Sequence, residues 1–516
     1  MAKEYKSIAQ KGTWKVLKRS EAKGSKILRG KLVFKKKRDK DGNITKYKVR
    51  WVVRGFEQQY GKDYDQTFAG VCRLTTWKIV LAMAAVRDWE IEQMDAVTAF
   101  LNSEIDSDVY VDLPPGWNEV FKDEEDGDIC KLKKSLYGLK QSPRLWQEKL
   151  RSTLIKFGFK PLKADNCVYI NQTNGVIIVT YVDDMLITGP NTEGINLIKK
   201  QLHQEFEMED MGPATYFVGV RLIRNRPNRS IALLQDTYIN KIVKKYDMVN
   251  CREAPTPMES GALNLMVSNP GQATKTEITQ YQSKVGSVTY PATQTRADIA
   301  FPCSVLSRFL CNPSQVYMKA VDRVIGYLKG TRYLAIVYGG SALKQDVDKG
   351  ILHRYSDSDF VGDIEQRKST SGYVFFFAGG VISCQSKRQS ITALSTTEAE
   401  FYGLSKAVME SAWLRYIFKE LNWSSKDVKS VKIYGDNLPS LDLTENPELH
   451  QRTKHISVKY HYIREEATRG VVRFWYCPTT HMKADGLTKP LSGPNHQKFV
   501  NQLGLQWVEP ARDKEN

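Results

Sequence analysis

A chain of 516 residues has room for three or four domains of ordinary size, and its 41% hydrophobic and 26% charged residues are a globular composition with enough apolar side chains for several cores. The net charge of +18 points to a polyanionic partner, nucleic acid first and an anionic membrane second. Membrane association is the weaker reading, because no apolar run approaches the roughly 20 residues of a spanning helix and the N-terminus lacks the apolar stretch of a signal peptide.

Residues 1–62 carry twenty Lys/Arg against five Asp/Glu. Within them Lys31 to Asp41 ends in Asp41-Gly42, a hairpin-turn signal, and Tyr47–Val53 is the returning strand. Strand alternation puts Lys48 and Arg50 on one face, suited to phosphate contact. Thr76–Arg87 reads as a buried helix, and Trp89–Asp95 alternates like a half-buried strand ending on Asp95, five residues before Phe100. Glu119–Asp128 is acidic and turn-rich, a surface loop. Ser142-Pro143 signals a helix start, Ser as N-cap, with Leu145, Trp146, Leu150, Leu154 and Phe157 on the apolar face and Gly158 as the stop.

Gly175 to Pro190 reads G-V-I-I-V-T-Y-V-D-D-M-L-I-T-G-P. Two apolar strands, Val176–Val182 and Met185–Thr188, flank the adjacent carboxylates Asp183 and Asp184. Two like charges at such a turn are costly unless cations neutralise them, and a pair of divalent metal ions would. Ile195–Phe206 is an amphipathic helix, and Tyr216–Val220 a short strand whose Gly219 allows a close backbone approach. Residues 230–345 look mainly helical and basic, and Gly339 to Gly350 is a polar linker.

A second acidic system follows. Ile351–Tyr355 is a strand ending in Asp357-Ser358-Asp359, and Gly372–Phe377 with Val381–Gln385 form a hairpin around Gly379-Gly380. Ser395 to Trp423 is a long helix with Glu398 and Glu400 near its start. Val431–Tyr434 is a strand ending in Asp436-Asn437, and Val471–Tyr476 is a last strand with Asp485 just beyond. An acid alone is an ordinary cap or turn residue, but acids recurring at element ends suit a metal site. The eight cysteines form no C-x-x-C, which argues against a zinc knuckle or a disulfide framework and for a reducing compartment. His450, His455 and His461 lack zinc-finger spacing and read as structural or RNA-facing.

Taken together, Glu4 to Phe56, Met94 to Asn102 (M-D-A-V-T-A-F-L-N), Ser135 to Trp146 (S-L-Y-G-L-K-Q-S-P-R-L-W), Tyr181 to Asp184 (Y-V-D-D), Gly286 to Arg308 and Arg323 to Thr331 resemble the reverse transcriptase of copia-type LTR retrotransposons. Tyr355 to Asp359, Ser395 to Phe401, Asp436-Asn437, Thr453 to Glu465 and Ala484 to Leu491 resemble its attached ribonuclease H. The resemblance runs over about residues 4 to 491, and this many motifs in order are specific. It implies an α+β multidomain chain: a right-hand polymerase of fingers, palm and thumb followed by a ribonuclease H-like mixed α/β domain. The implied bounds are fingers with the basic hairpin over 1–90, palm over 91–220 with a fingers insertion near 103–160, a helical thumb over 221–345, ribonuclease H over 350–490 and a C-terminal tail over 491–516.

The resemblance further implies RNA- and DNA-directed DNA polymerase activity with Asp95, Asp183 and Asp184 holding two Mg²⁺ or Mn²⁺ ions. Phe100 matches the aromatic that blocks a ribose 2′-hydroxyl. Lys48, Arg50, Tyr137 and Gly138 fall at the nucleotide pocket, Tyr137 standing where retroviral enzymes have glutamine, and Phe217 and Gly219 lie in the primer-grip segment. For cleavage of RNA in RNA–DNA hybrids the matching acids are Asp357, Glu400 (Glu398 being the alternative), Asp436 and Asp485, again with two ions; His481 does not match the family's loop histidine. The implied partners are RNA template, DNA primer, RNA–DNA hybrid and deoxynucleotides, without a membrane. The implied location is a cytoplasmic retrotransposon particle, a nuclear location staying open. A homodimer, and a catalytically inactive domesticated or subunit-like nucleic-acid-binding copy, stay open.

Overall fold

The computed structural model describes residues 1–22, 24–38, 44–121, 127–340, 352–423, 431–445 and 457–509. The Asp41-Gly42 turn, the middle of the acidic 119–128 loop, most of the 339–350 linker, and His450 and His455 lie outside them. The chain is a mixed α/β protein of two compact units: Met1–Cys72 with Ile91–Pro213, and Arg73–Glu90 with Ala214–Asn516.

In the first unit the strongest β signal sits at the centre of a six-stranded sheet. Its order is Met208–Pro213, Glu90–Ala96, Asp184–Gly189, Ile177–Tyr181, Val168–Asn171, Phe159–Pro161. The β-branched runs 177–181 and 184–189 form a hairpin with Tyr181 opposite Asp184. One face of the sheet, with Met94, Ile178, Met185 and Ile187, packs on Trp146, Leu150 and Leu154 of helix Ser142–Lys156 and on Ile195, Ile198 and Leu202 of helix Thr192–Glu205. Each such buried aliphatic contributes about 1.5–3 kcal/mol. Ser142 is not the N-cap: Gln141 holds that position, and the Ser142 hydroxyl instead donates to Leu136 O at 2.7 Å. The basic hairpin pairs Gly30–Arg38 with Ile44–Val53, setting Lys35 opposite Lys48 and Val33 opposite Arg50.

In the second unit helix Leu74–Arg87 is apolar around most of its circumference and correspondingly buried. A five-stranded sheet runs Tyr216–Phe217, Val220–Asn225, Ser230–Leu234, Leu334–Gly339, Leu505–Trp507. Residues 216–220 are therefore not one strand: Val218 and Gly219, both at positive φ, make a hairpin turn. The mainly helical reading of 230–345 holds for helices Asp236–Lys245, Lys275–Gln294, Ala300–Leu306 and Gln315–Gly330, which share one core. It missed the strands at either end of that stretch: Ser230–Leu234, a short apolar run in a hairpin with Val220–Asn225, and Leu334–Gly339, whose partners are distant in the chain. Nor are the last residues a tail. Helix Gly493–Gln502 and strand Leu505–Trp507 follow residue 491, and the strand pairs with Leu334–Ile336.

The second sheet of this unit is ordered Gly380–Arg388, Thr370–Phe377, His353–Ser358, Val431–Gly435, Val472–Tyr476; the first three strands are antiparallel and the last two join in parallel. Asp357 lies inside its strand rather than beyond it, and the 377–380 turn is made by Ala378-Gly379, one residue earlier than the Gly-Gly pair suggests. Helix Thr396–Glu420 crosses this sheet so closely that a Cβ at Gly403 would collide with the Ser358 hydroxyl.

Candidate active sites

In the first unit two acids come from one turn. Val182 and Asp183 link the hairpin strands, and the β-branched Val182 sits at φ 59°, a strained conformation that its surroundings must hold. They do: the Trp146 indole N–H donates to Val182 O at 2.8 Å, and Ala96 N–H donates to Asp183 O at 3.0 Å. The second bond ties the end of the Glu90–Ala96 strand, and with it Asp95, to the Asp183-Asp184 turn. Burial pushes the Asp95 carboxyl up to about 6, helped by the charges of Asp183, Asp184 and Glu209 and opposed by Lys48. Burial and Asp183 likewise raise Asp184, against a hydrogen bond from Gln93. Glu209, cross-strand partner of Asp95, is a fourth acid the sequence motifs did not single out.

Next to these acids stands a cationic and aromatic group. The Arg50 guanidinium lies 4.6 Å over the Tyr137 ring, and Phe100 meets the same ring edge-on at 5.3 Å. Burial pushes the Tyr137 phenol up to about 12, with Arg50 pulling the other way. The Tyr137-Gly138 turn is bound to the base of the basic hairpin: Val53 N–H donates to Tyr137 O at 2.8 Å. A Cβ at Gly138, where φ is 94°, would collide with the Val53 carbonyl. Glu4 was missed from sequence. Its carboxyl, raised by burial, lies within the fields of Arg50 and Lys48.

Phe217 and Gly219 belong to the second unit. Phe217 is buried against Trp77, ring centroids 5.8 Å apart, so Tyr216 is the partly exposed aromatic of that strand. Tyr290 OH donates to Val218 O at 2.7 Å, and a Cβ at Gly219 would stand 2.5 Å from the same hydroxyl.

In the other acidic site Asp357 and Glu400 are buried and Asp436 is partly exposed. Asp357, near the end of its strand, Glu400, in the second turn of the long helix, and Asp436, after Val431–Gly435, have ligand oxygens all within 4.8 Å of one another. Among the described residues no other trio of acids, histidines or cysteines, Asp95 with Asp183 and Asp184 included, is this tight. Burial and Asp436 push Asp357 up to about 7, against a hydrogen bond from the Thr488 hydroxyl, and burial with Asp357 raises Glu400 well above its ordinary value. Glu398 points elsewhere: it accepts from Leu394 N at 2.7 Å, while the Ser395 hydroxyl caps the helix by accepting from Glu398 N at 3.1 Å.

Asp485 stands beside the trio rather than in it. Lys489 Nζ is 2.5 Å from its Oδ1. Burial works against the Lys489 charge, yet Asp485, Asp357 and Asp436 together hold its affinity for the proton above the ordinary lysine value. The Thr479 hydroxyl donates to Asp436 Oδ2 at 2.8 Å. Clustered, desolvated carboxylates with no thiol or imidazole among them fit a hard divalent cation such as Mg²⁺ or Mn²⁺.

Residues 11–260 match the family described as reverse transcriptase (RNA-dependent DNA polymerase). The chain is 38% identical over 95% of its length to the retrovirus-related Pol polyprotein from transposon TNT 1-94 of Nicotiana tabacum, covering 36% of that protein. It is 35% identical over 93% of its length to the corresponding polyprotein from transposon RE1 of Arabidopsis thaliana, covering 32% of it. A Ty5-1 transposon protein of Saccharomyces cerevisiae is 33% identical over 61% of this chain and is covered completely. The chain thus spans about a third of the plant polyproteins it matches.

Proposed function

Since this chain belongs to the reverse transcriptases of copia-type transposon Pol polyproteins, we propose that it is an RNA- and DNA-directed DNA polymerase that also degrades the RNA of RNA–DNA hybrids. The observation that carries the polymerase reading is the Ala96–Asp183 backbone bond, which sets Asp95 beside the Asp183-Asp184 turn. Asp95, Asp183 and Asp184 would hold divalent ions, which supply charge stabilisation for an in-line attack of a primer hydroxyl on a nucleotide. Arg50 and Lys48, on one face of the basic hairpin, receive the triphosphate. Phe100, braced by Tyr137, presents a wall that favours a sugar lacking the 2′-hydroxyl. Gly138 lets that wall approach the hairpin base.

The cleavage reading is carried by the Asp357–Glu400–Asp436 trio. These residues, with Asp485, would hold the ions of the second site. Thr488 and Thr479 orient two of the carboxylates by hydrogen bonds. Partners on this reading are an RNA template, a DNA primer, their hybrid and deoxynucleotides.

Primer extension on a homopolymer RNA template, with and without Mg²⁺, tests the polymerase directly. Extension that requires both the metal and Asp183 is the expected result. A chain that binds template–primer tightly but extends nothing in either Mg²⁺ or Mn²⁺ is instead an inactive nucleic-acid-binding copy.

A further inference from the structure

The turn that carries Asp485 is held from both sides. On one side Leu487 and Thr488 press on Gly372, the cross-strand partner of Asp357; a Cβ there would stand 2.6 Å from Leu487 Cβ. Thr488 accordingly ties the turn to the strand, its hydroxyl contacting the Asp357 carboxylate and lying 2.9 Å from the Asp485 backbone carbonyl O. On the other side the Phe499 ring of helix Gly493–Gln502 packs on Gly486, three of its carbons 2.5–2.7 Å from where a Cβ would be. Gly486 is thus small because an aromatic ring occupies the side-chain space.

One turn before Phe499, on the same face of that helix, His496 is anchored in a buried polar chain. His496 Nε2 is 3.0 Å from Tyr327 OH, and Tyr327 OH donates to Asp298 Oδ2 at 2.7 Å. With the phenolic proton given to Asp298, Nε2 must carry a hydrogen and donate, which fixes the imidazole tautomer. Arg296 closes the chain, its Nε and Nη2 donating to the two Asp298 oxygens at 3.0 and 2.7 Å, and its Nη1 and Nη2 to Thr331 O and Oγ1 at 2.9 and 2.7 Å. Arg296 and Asp298 are fully buried, and such a pair is rigid because breaking one partner leaves an uncompensated charge. Strand Leu505–Trp507 then secures the far end of the segment against Leu334–Ile336.

We infer that the C-terminal helix is a strut that positions Asp485, and that His496, Tyr327 and Phe499 are positioning residues for hybrid cleavage although none reaches the acids. The inference rests on the ribonuclease H reading above. Tyr327 falls within the Arg323–Thr331 segment of the family resemblance, but neither motif nor acid spacing marks His496 or Phe499; a buried hydrogen-bond chain ending on the helix that covers Gly486 does.

The test uses the full chain with His496→Leu, His496→Gln, Tyr327→Phe and Phe499→Ala. Hydrogen–deuterium exchange is read over residues 485–489, together with the Mg²⁺ dependence of hybrid cleavage and primer extension on the same preparations. His496→Leu, Tyr327→Phe and Phe499→Ala are expected to speed exchange in that segment and to raise the Mg²⁺ needed for half-maximal cleavage roughly tenfold, the usual scale for groups that orient metal ligands. Primer extension stays within about twofold under the same principle, since only the orienting shell of the second site is changed. His496→Gln, whose amide restores a donor, returns both values toward the parent. Unchanged exchange and unchanged Mg²⁺ dependence overturn the inference. A parallel loss of cleavage and extension also overturns it, as global destabilisation, and so does failure of the glutamine to rescue. If the parent chain cleaves no hybrid while the variants still loosen residues 485–489, the ribonuclease H reading fails and the strut stands.

Discussion

The two acidic sites are built on opposite plans. In the first unit two carboxylates are neighbours in sequence, delivered by one hairpin turn, and the third joins through the adjacent strand. In the second unit Asp357, Glu400 and Asp436 come from a strand, a helix and the end of a parallel strand spread over 80 residues, and they meet with the first two buried and the third partly exposed. Among the described residues only the Asp357–Glu400–Asp436 trio has ligand oxygens all within 4.8 Å of one another. Without metal the local site is the less strained of the two, Asp95 being raised to about 6 against about 7 for Asp357. The convergent plan concentrates like charge in low dielectric, and Thr488, Thr479 and Lys489 offset part of that cost.

The largest effect that can break this comparison is reciprocal loss. Asp183→Asn is expected to lower nucleotide incorporation by on the order of 10³-fold or more while hybrid cleavage persists, and Asp357→Asn to do the reverse, as expected where each site depends on its own ions. Steady-state extension and cleavage assays on the same two proteins decide it. If either variant lost both activities, the sites would not be independent.

The next effect separates the plans by their electrostatics. Asp357 is held near 7 when folded against an ordinary value of 3.8, so the folded chain binds the extra proton between roughly pH 4 and 7. Stability present below pH 4 is therefore lost as the pH climbs through 7 in the absence of metal. Asp357→Asn removes that loss, and in EDTA the variant should be the more stable by roughly 2–4 kcal/mol at pH 7.5, with little difference at pH 4.5. Asp95, raised to about 6 and less buried, should give a smaller gain over a narrower window closing near pH 6. Saturating Mg²⁺ should abolish the advantage of Asp357→Asn. Thermal melts at the two pH values, with and without metal, measure all of this; a variant no more stable than its parent at pH 7.5 would mean the trio is not strained when empty.

Smaller again is sugar selection. Phe100 is half-buried, in edge contact with Tyr137, so shortening it opens space without unfolding the core. Phe100→Val should narrow the preference for deoxynucleotides over ribonucleotides by roughly 10–100-fold, chiefly through kcat/KM for the ribonucleotide. An unchanged ratio removes Phe100 from the nucleotide pocket.

How much of this was legible in the sequence follows the same division. The 177–189 hairpin, the 142–156 and 192–205 helices and the Asp183-Asp184 turn were readable because periodicity and turn chemistry act over a few residues. Ser142 reads as a cap from its neighbours, yet its hydroxyl is taken by Leu136 O, a tertiary contact that outweighs the local preference. Strands Leu334–Gly339 and Leu505–Trp507 were missed because their partners are distant in sequence, whereas Ser230–Leu234 is a short run that hairpins with Val220–Asn225 and was absorbed into the helical reading. Glu209 joins its site through folding alone, while Glu4, Thr488 and Lys489 lie in segments that carry the resemblance but acquire their roles only from the contacts the fold brings.

The smallest effect concerns the pair that sequence alone left unresolved. Glu398 and Glu400 are two residues apart on one helix, so they face about 200° apart around its axis and cannot serve the same site. The fold gives each a separate task. Glu398 accepts from Leu394 N and Ser395 accepts from Glu398 N, a closed local loop that satisfies donors at the helix start, whereas Glu400 turns inward to Asp357 and Asp436. Ser395→Ala should therefore cost about 1 kcal/mol, the ordinary value of an N-cap, visible as a melting shift of a few degrees or less. Because the cap lies a full turn before Glu400, cleavage per folded molecule should hardly change, while Glu400→Gln should lose cleavage with little loss of stability. A Ser395→Ala chain that melts like its parent but cleaves far more slowly would show that the cap sets the acid's position and not merely the helix end, and the local and convergent plans would no longer be separable at this helix.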